Sequence, residues 1–360
     1  MPNTRTTAGL PSVLKQLGKM TAIRETYLVE QSLLRTLGPL LGVTETWLFR
    51  GDEEDNIVRS LHHVRLLETE ASGVQREAEK IEEIVNQTSL PEDVADIIEN
   101  VKMLEKSCSR RLDEGEGKEF IICYPMRGGD EVCGYFVLRR GHEITPMEDA
   151  VVHGVLEVFS NFYTLLDTSQ RDRLTGLLNR YSLELNLDRL WNMLYARLHE
   201  PTSGPARRNL APQRYWLGVL DIDHFKAIND GHGHMIGDEV LIVVTRLLKA
   251  AFRKSDLIYR YGGEEFIVII AANDLEAATL AFERARKKVE KFKFPRVGDV
   301  TISLGFSGAD PTVLPQEVIN RADNALYEAK RTGRNRCFHY ETLVQQGVLK
   351  EVSAGSVDLF

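Results

Sequence analysis

Four carboxylates lie in two short stretches whose neighbours are otherwise apolar. LGVLDIDHFK places Asp221 at the end of a hydrophobic run and Asp223 two residues on, and RYGGEEF (260–266) places Glu264 and Glu265 straight after two glycines. An acid that closes a buried strand is costly unless something positive pairs with it. If the two stretches lie side by side, Asp221 and Glu264 converge. Hard oxygen donors with little competing nitrogen or sulfur suit Mg2+, which typically takes one or two carboxylates together with substrate phosphates. Lys226 follows directly, a point charge of the kind that grips phosphate. AKRTGRN adds Lys330 and Arg334, four apart at what reads as a helix end. Carboxylates for a metal and separate cations for phosphates describe a nucleoside triphosphate site. The chain contains no GxxxxGK[ST] run, which excludes a P-loop enzyme.

These groups need elements to hold them. FIVII, after the glycines, reads as a core strand, and DLIYRY before them as another, so Gly262-Gly263 marks a hairpin. Without a Cβ, that backbone lets a large ligand come close. From 172 to 340, helix-like and strand-like runs alternate. They are a helix from Asn179, the strand YWLGVLDI, the helix GDEVLIVVTRLLKAAF, the hairpin, the helix LEAATLAFERARKKVEKF, the strand VTISLGFS and the helix LPQEVINRADNALYEAKRTG. Residues 201–213, rich in proline, glycine and arginine, read as a surface insertion, and 341–360 as a weakly patterned tail.

The N-terminal part reads differently. After a tail over 1–18, residues 19–41 carry a helical pattern ending near Gly38-Pro39, and TETWLFRGD reads as a strand running into a turn. Residues 66–86 read as a charged helix. SLPEDVADIIENVKML reads as a helix that Ser89 opens in a capping-box arrangement with Glu92. EFIICYPMRGGDEVCGYFVLRR reads as two strands joined by a Gly-Gly-Asp turn. The expectation for 19–145 is an α+β domain with no catalytic constellation. His62-His63, adjacent on a strand, face opposite ways and make poor co-ligands. Over 146–171, Thr145, Pro146 and Glu148 spell a helix start. Val151, Val155, Val158, Phe162 and Leu165 follow with a coiled-coil spacing, beside a second row of Val152, Phe159 and Leu166. The pattern fits a helix packed on its own domain, or a stalk pairing two chains, which is the favoured reading.

Composition narrows the class. The 360 residues suggest two domains, and a 43% hydrophobic, 27% charged make-up gives each a core. A formal net charge of −8 argues against nucleic-acid binding by phosphate neutralisation, so an anionic substrate must be held by local cations or metal. Cys108, Cys123, Cys133 and Cys337 form no CxxC pair, which fits buried thiols in a reducing compartment. No apolar run is long enough to span a bilayer, and no signal-peptide core opens the chain. The expected location is cytoplasmic, with neither nucleic acid nor membrane as partner.

DRLTGLLNR (172–180), DIDHFKAIND (221–230), GHMIGDEVL (233–241), RYGGEEF (260–266) and ADNALYEAKRTGRNR (322–336) resemble, in order and spacing, the GGDEF family of diguanylate cyclases. The resemblance covers 172–340. It implies an α/β (α+β) palm-like fold with a central, mainly antiparallel sheet flanked by helices. The implied reaction condenses two GTP molecules to cyclic di-GMP with loss of two pyrophosphates. By the same resemblance, Asp221, the backbone carbonyl of Ile222 and Glu264 hold two Mg2+ ions per site, with Mn2+ as the alternative ion. Glu264 is the implied base for the attacking 3′-hydroxyl and Glu265 supports the same cluster. Lys226 stabilises charge on the phosphates, Lys330 and Arg334 hold the triphosphate tail, and Asn229, His234 and Asp238 line the nucleoside pocket. The chemistry agrees: a carboxylate at Asp238 accepts from guanine N1–H and N2–H2, whereas adenine leaves it unpaired. Two departures are Glu for Asp in the signature and His232 where the family often has an aromatic.

RKSD (253–256) matches the family's RxxD site for inhibition by its own product. Arg253 and Asp256 are the implied contacts, with Arg284 as a candidate third. A two-fold symmetric product made from one GTP per chain implies a homodimer with facing sites, held through 146–171 and the cyclase domains. The layout of 19–145 faintly resembles a GAF sensory domain, with a PAS-like or other α+β regulatory domain as the alternative, and its signal or ligand is unspecified. From a different class, the chain could be an inactive GGDEF domain that serves as a cyclic di-GMP receptor.

Overall fold

The computed structural model describes residues 10–43, 45–51, 57–69, 75–85, 90–112, 119–128, 131–199 and 214–350. Ser89, the Gly129-Asp130 part of the expected turn and the 201–213 insertion lie outside them. The chain divides into two compact units, Met1–Ser169 and Gln170–Phe360.

The first unit opens with α1 (Leu10–Met20) and α2 (Thr26–Leu41). The single helix expected over 19–41 is therefore broken at 21–25. Its end is also later than Gly38-Pro39. Pro39 sits within the last turn, and Gly42, left-handed at φ 63°, closes α2 through N–H bonds to the Gly38 and Pro39 carbonyls. Next come β1 (Glu45–Gly51), β2 (Ile57–Thr69), β3 (Gln75–Val85), α3 (Glu92–Leu104), β4 (Cys108–Leu112), β5 (Glu119–Gly128), β6 (Glu131–Arg140) and α4 (Pro146–Ser169). The strands form one antiparallel sheet in the order β3-β2-β1-β6-β5-β4.

The charged helix expected over 66–86 is not there. Of those residues, 66–69 are the end of β2 and 75–85 are β3, the two strands in register from Arg59 opposite Val85 to Thr69 opposite Gln75. β3 is an edge strand, and a charged edge is how a sheet avoids pairing with another chain. Cross-strand partners such as Arg65 and Glu79 outweigh the helical propensity of the same residues.

One face of this sheet packs α1, α2 and α4 over Leu48, Leu61, Ile122, Tyr124, Phe136 and Leu138. The other packs α3 over Trp47, Phe49, Ile121, Tyr135 and Val137. Thr145 and Glu148 exchange the capping-box bonds expected of them. Along α4, Val152, Val155 and Phe159 are buried in this unit's own core, while Val158 and Leu165, seven residues apart, are exposed.

In the second unit α5 (Arg180–His199) precedes β7 (Arg214–Ile222), α6 (Phe225–His232), α7 (His234–Lys249), β8 (Leu257–Arg260) and β9 (Glu265–Ala272). Then follow α8 (Leu275–Lys291), β10 (Lys293–Phe294), β11 (Gly298–Asp299), β12 (Ile302–Gly308), α9 (Pro315–Arg331), β13 (Cys337–His339) and α10 (Tyr340–Gln345). Five strands make a sheet in the order β13-β12-β7-β9-β8, antiparallel except for the β12–β13 pair. Helices α6, α7 and α8 cover one face, α5 and α9 the other. β7 lies at the centre and is buried on both faces, which is why its sequence is a continuous apolar run. Residues 341–345 of the expected loose tail belong to α10, whose Tyr340 and Leu343 pack on Ala325 of α9.

α9 lies unusually close to the sheet. A Cβ on Gly305 would stand 2.1 Å from the Leu326 nitrogen and 2.2 Å from the Ala322 oxygen. Only glycine permits that approach, and it brings the end of α9, with Lys330, to the end of β7.

Candidate active site

β7 and β9 pair so that Asp221 stands opposite Glu265, and the Ile222 N–H donates to the Glu264 carbonyl at 3.4 Å. The backbones that carry Asp221 and the two signature acids therefore lie side by side. The Lys330 ammonium reaches Asp221 Oδ2 at 2.8 Å. Burial pushes the Asp221 carboxyl up to about 6; Lys330 pulls it down, and the charges of Glu264 and Glu265 push it up again. A carboxyl raised mainly by burial, with other acids and a lysine beside it, marks a candidate functional site. Among the described residues no three ligating side chains converge. What is offered is a hard-oxygen set: Asp221, the backbone at Ile222, and Glu264 or Glu265. That donor chemistry fits Mg2+ or Mn2+ completed by phosphate oxygens.

The hairpin tip is held from outside. The Arg260 guanidinium donates from Nε and Nη2 to the Gly263 carbonyl, at 3.1 and 2.9 Å, and from Nη1 to Asp172 Oδ1 at 2.9 Å. Asp172 in turn accepts from the Thr175 N–H and hydroxyl at 2.9 and 2.7 Å. Neither Gly262 nor Gly263 has a positive φ. Their use is room: nothing lies within 4 Å of where a Cβ on Gly263 would stand.

Asp223 serves a different purpose. Its buried carboxylate accepts from Thr301 and Ser303 hydroxyls, each at 2.7 Å, and from the Asn335 N–H at 3.0 Å. Both of its oxygens are engaged in holding β12 and the turn after α9.

The remaining candidates surround this centre on separate elements. Lys226 is exposed in the first turn of α6. Asn229 of α6 is half-buried against α7, where a Cβ on Gly237 would stand 1.9 Å from its Oδ1. His234 opens α7, with Asp238 one turn on, both exposed. Lys330 is in the last turn of α9, but Arg334 is not on the helix, which ends at Arg331; Arg334 is left-handed at φ 61° in the following turn.

Arg253, Asp256 and Arg284 come together as a second cluster. Asp256 Oδ2 accepts the Arg253 N–H at 2.8 Å, and the Asp256 N–H donates back to the Arg253 carbonyl at 3.0 Å. Burial raises the Asp256 carboxyl, opposed by the Arg253 N–H and by the charges of Arg253 and Arg284. Arg284 Nε donates to the Ala251 carbonyl at 2.8 Å and so caps the end of α7. In the first unit His62 pairs with Glu45 at 2.8 Å, and His63 is buried beside Thr46, in keeping with their unsuitability as co-ligands.

Sequence reasoning missed Asp172, Arg260, Gly237 and Asn335. Each stands in one of the five blocks quoted above, but its partner is distant in sequence or lies on another element.

Residues 169–336 match the family model described as "Diguanylate cyclase, GGDEF domain". The chain is 37% identical over 193 residues to diguanylate cyclase DgcZ of Escherichia coli (strain K12), covering 53% of this chain and 59% of that protein. It is 33% identical over 224 residues to diguanylate cyclase A of Treponema denticola, covering 59% and 57%. It thus spans less than two thirds of either curated relative. The solved GGDEF domain of DgcB from Caulobacter crescentus in complex with c-di-GMP aligns at 32% identity and a TM-score of 0.43, over 48% of this chain and 96% of that one. By the family model and these relatives, residues 169–336 are a GGDEF domain of the diguanylate cyclase family.

Proposed function

We propose that the second unit condenses two GTP molecules to cyclic di-GMP, releasing two pyrophosphates. The observation that carries this reading is the adjacency of Asp221, at the end of β7, to Glu264 and Glu265, at the start of β9, with Lys330 paired to Asp221. Two Mg2+ ions held by Asp221, the Ile222 carbonyl and Glu264 would supply charge neutralisation at phosphorus and a more acidic 3′-hydroxyl. Glu264 takes the proton of that hydroxyl. Lys226 balances charge on the transferring phosphate, Lys330 and Arg334 hold the phosphate tail, and Asn229, His234 and Asp238 read the nucleoside. The receptor-only alternative has no observation in its favour, since the signature acids and both lysines are present.

The cluster of Arg253, Asp256 and Arg284 is the product-inhibition site in this reading. A product made from one GTP per chain requires two domains facing each other, and the exposed Val158 and Leu165 of α4 are the stripe left for pairing two stalks. The first unit, a six-stranded antiparallel sheet with helices on both faces, is read as a GAF-like regulatory domain that acts through α4. Among the described residues, no helix is long and apolar enough to cross a membrane.

The test is incubation of the full chain with GTP and Mg2+, followed by separation of the nucleotides. Wild type yields cyclic di-GMP and pyrophosphate, and Glu264→Ala yields neither while its melting curve is retained. Equal product from the two proteins would refute the assignment.

A further inference from the structure

Gly333, Arg334 and Asn335 all have positive φ, at 121°, 61° and 48°. Only the first is glycine, so two side chains sit in a region that L residues avoid at a cost of about 1–2 kcal/mol each. Such a turn persists only where its surroundings impose it, and here they do. The Arg334 N–H donates to the Ala329 carbonyl and Arg336 Nε donates to the Arg334 carbonyl, both at 2.9 Å. The Asn335 N–H donates to Asp223 Oδ2 at 3.0 Å and to Ser303 Oγ at 3.1 Å. Asn335 Nδ2 donates to Glu290 at 2.6 Å, and Arg286 Nη1 donates to Asn335 Oδ1 at 2.6 Å. Arg286 is itself nearly buried on α8 and is fixed by Glu283 and Glu290.

Through Asn335 the turn is thus tied to Asp223 just past β7, to β12 and to α8 at once. The Arg334 guanidinium, by contrast, has no hydrogen bond or ion pair among the described residues. A strained turn held by these bonds that presents one free cation is the pattern of a preorganised binding arm.

We infer that Asn335, clamped between Asp223 and Arg286, is a positioning residue that aims Arg334 at the polyphosphate of the bound nucleotide. The inference rests on the nucleotide-site reading above. It assigns Asp223 and Arg286 a shared task in phosphate recognition, apart from metal binding and from the base pocket. Because the clamp acts on the phosphate tail alone, loosening it lowers affinity for a triphosphate and leaves affinity for a monophosphate in place.

The experiment compares the Kd of GMP with that of a non-hydrolysable GTP analogue, by calorimetry on the full chain with Mg2+ present. Asn335→Gly keeps a left-handed backbone accessible and removes the two side-chain bonds. Arg286→Lys keeps the charge and removes the fork. Arg334→Ala is the reference. The expected result is that both clamp variants cut the ratio of the GMP to the GTP-analogue Kd by roughly tenfold, the order of effect of an unanchored charged contact. Arg334→Ala cuts it at least as far, and the Asn335→Gly/Arg334→Ala double variant no further. If Arg334→Ala lowers the ratio and the clamp variants do not, the positioning role is refuted while the nucleotide site stands. If a clamp variant weakens both ligands equally, its role is general folding support and the inference fails. If Arg334→Ala leaves the ratio unchanged, the phosphate assignment of Arg334 falls and the inference with it. Should Asn335→Gly fail to fold, Arg286→Lys carries the same comparison.

Discussion

Replacing Asp221 by asparagine should make the metal-free second unit more stable while abolishing the Mg2+ binding proposed for it. Asp221 is 7% exposed, and its carboxyl rises from 3.8 to about 6 on folding. At about 1.36 kcal/mol per pH unit, that rise is a penalty of about 3 kcal/mol on the ionised folded state. The sign follows from proton uptake. Between pH 4 and 6 the folded chain holds a proton that the unfolded chain has lost, so stability falls as pH rises through that window and stays low above it. The neutral asparagine side chain carries no such penalty. Lys330 loses its charged partner, but its side chain is 33% exposed and can be solvated. The gain is thus bounded by about 3 kcal/mol, or roughly 6–12 °C in the melting of a unit of this size. Calorimetry of the full chain with a chelator, from pH 4 to pH 8, reads it directly: wild type and Asp221→Asn should nearly coincide at pH 4 and diverge by pH 7. Adding Mg2+ should then raise wild type alone, since the ion stabilises only the state that binds it. An asparagine variant that melts at or below wild type at pH 8, or a gain of equal size at both ends of the range, would show that Asp221 is not under the strain of burial among acids.

Three further outcomes bear on other parts of the chain. Arg253→Ala should leave initial turnover intact and abolish the slowing that accumulates with product, as seen in progress curves with and without added cyclic di-GMP. Gly237→Ala should displace Asn229, whose Oδ1 would lie 1.9 Å from the new Cβ, and weaken GTP binding by about tenfold with little effect on ATP, because the lost contact is to the base. Arg50→Ala should destabilise the first unit by about 3–5 kcal/mol in urea titration, since it removes an ion-pair partner from the fully buried Glu30.

The sequence showed most where chemistry and local pattern coincide. Asp221 ends an apolar strand, Glu264 and Glu265 close a glycine hairpin, and Arg253 and Asp256 sit on one turn, so each placement follows from neighbours within a few residues. β3 failed the same treatment because its charged residues satisfy helix propensity, while pairing with β2, a non-local interaction, decides the outcome. The stripe on α4 was ambiguous for a related reason. Its spacing serves a coiled coil or a sheet-packed helix equally well, and the core of the first unit takes Val155 while leaving Val158 and Leu165 outside.

The parts of the site that stayed hidden are those whose partners come from far along the chain. Arg260 stands inside the signature, yet its meaning lies in Asp172, 88 residues earlier, and in the Gly263 carbonyl that it fixes with the same guanidinium. A hairpin tip built on two glycines has little conformational preference of its own. Arg260 supplies that preference from outside, and Asp172 keeps the guanidinium in place at the very start of the second unit. Asp223 and Asn335, 112 residues apart, do the same for the turn that carries Arg334. In both cases an acid that a sequence reader would assign to metal, or leave as surface charge, is engaged in holding backbone. In the proposed reading the carboxylates left for chemistry are Asp221, Glu264 and Glu265, and the domain's long-range bonds hold the adjoining strand ends that carry them side by side.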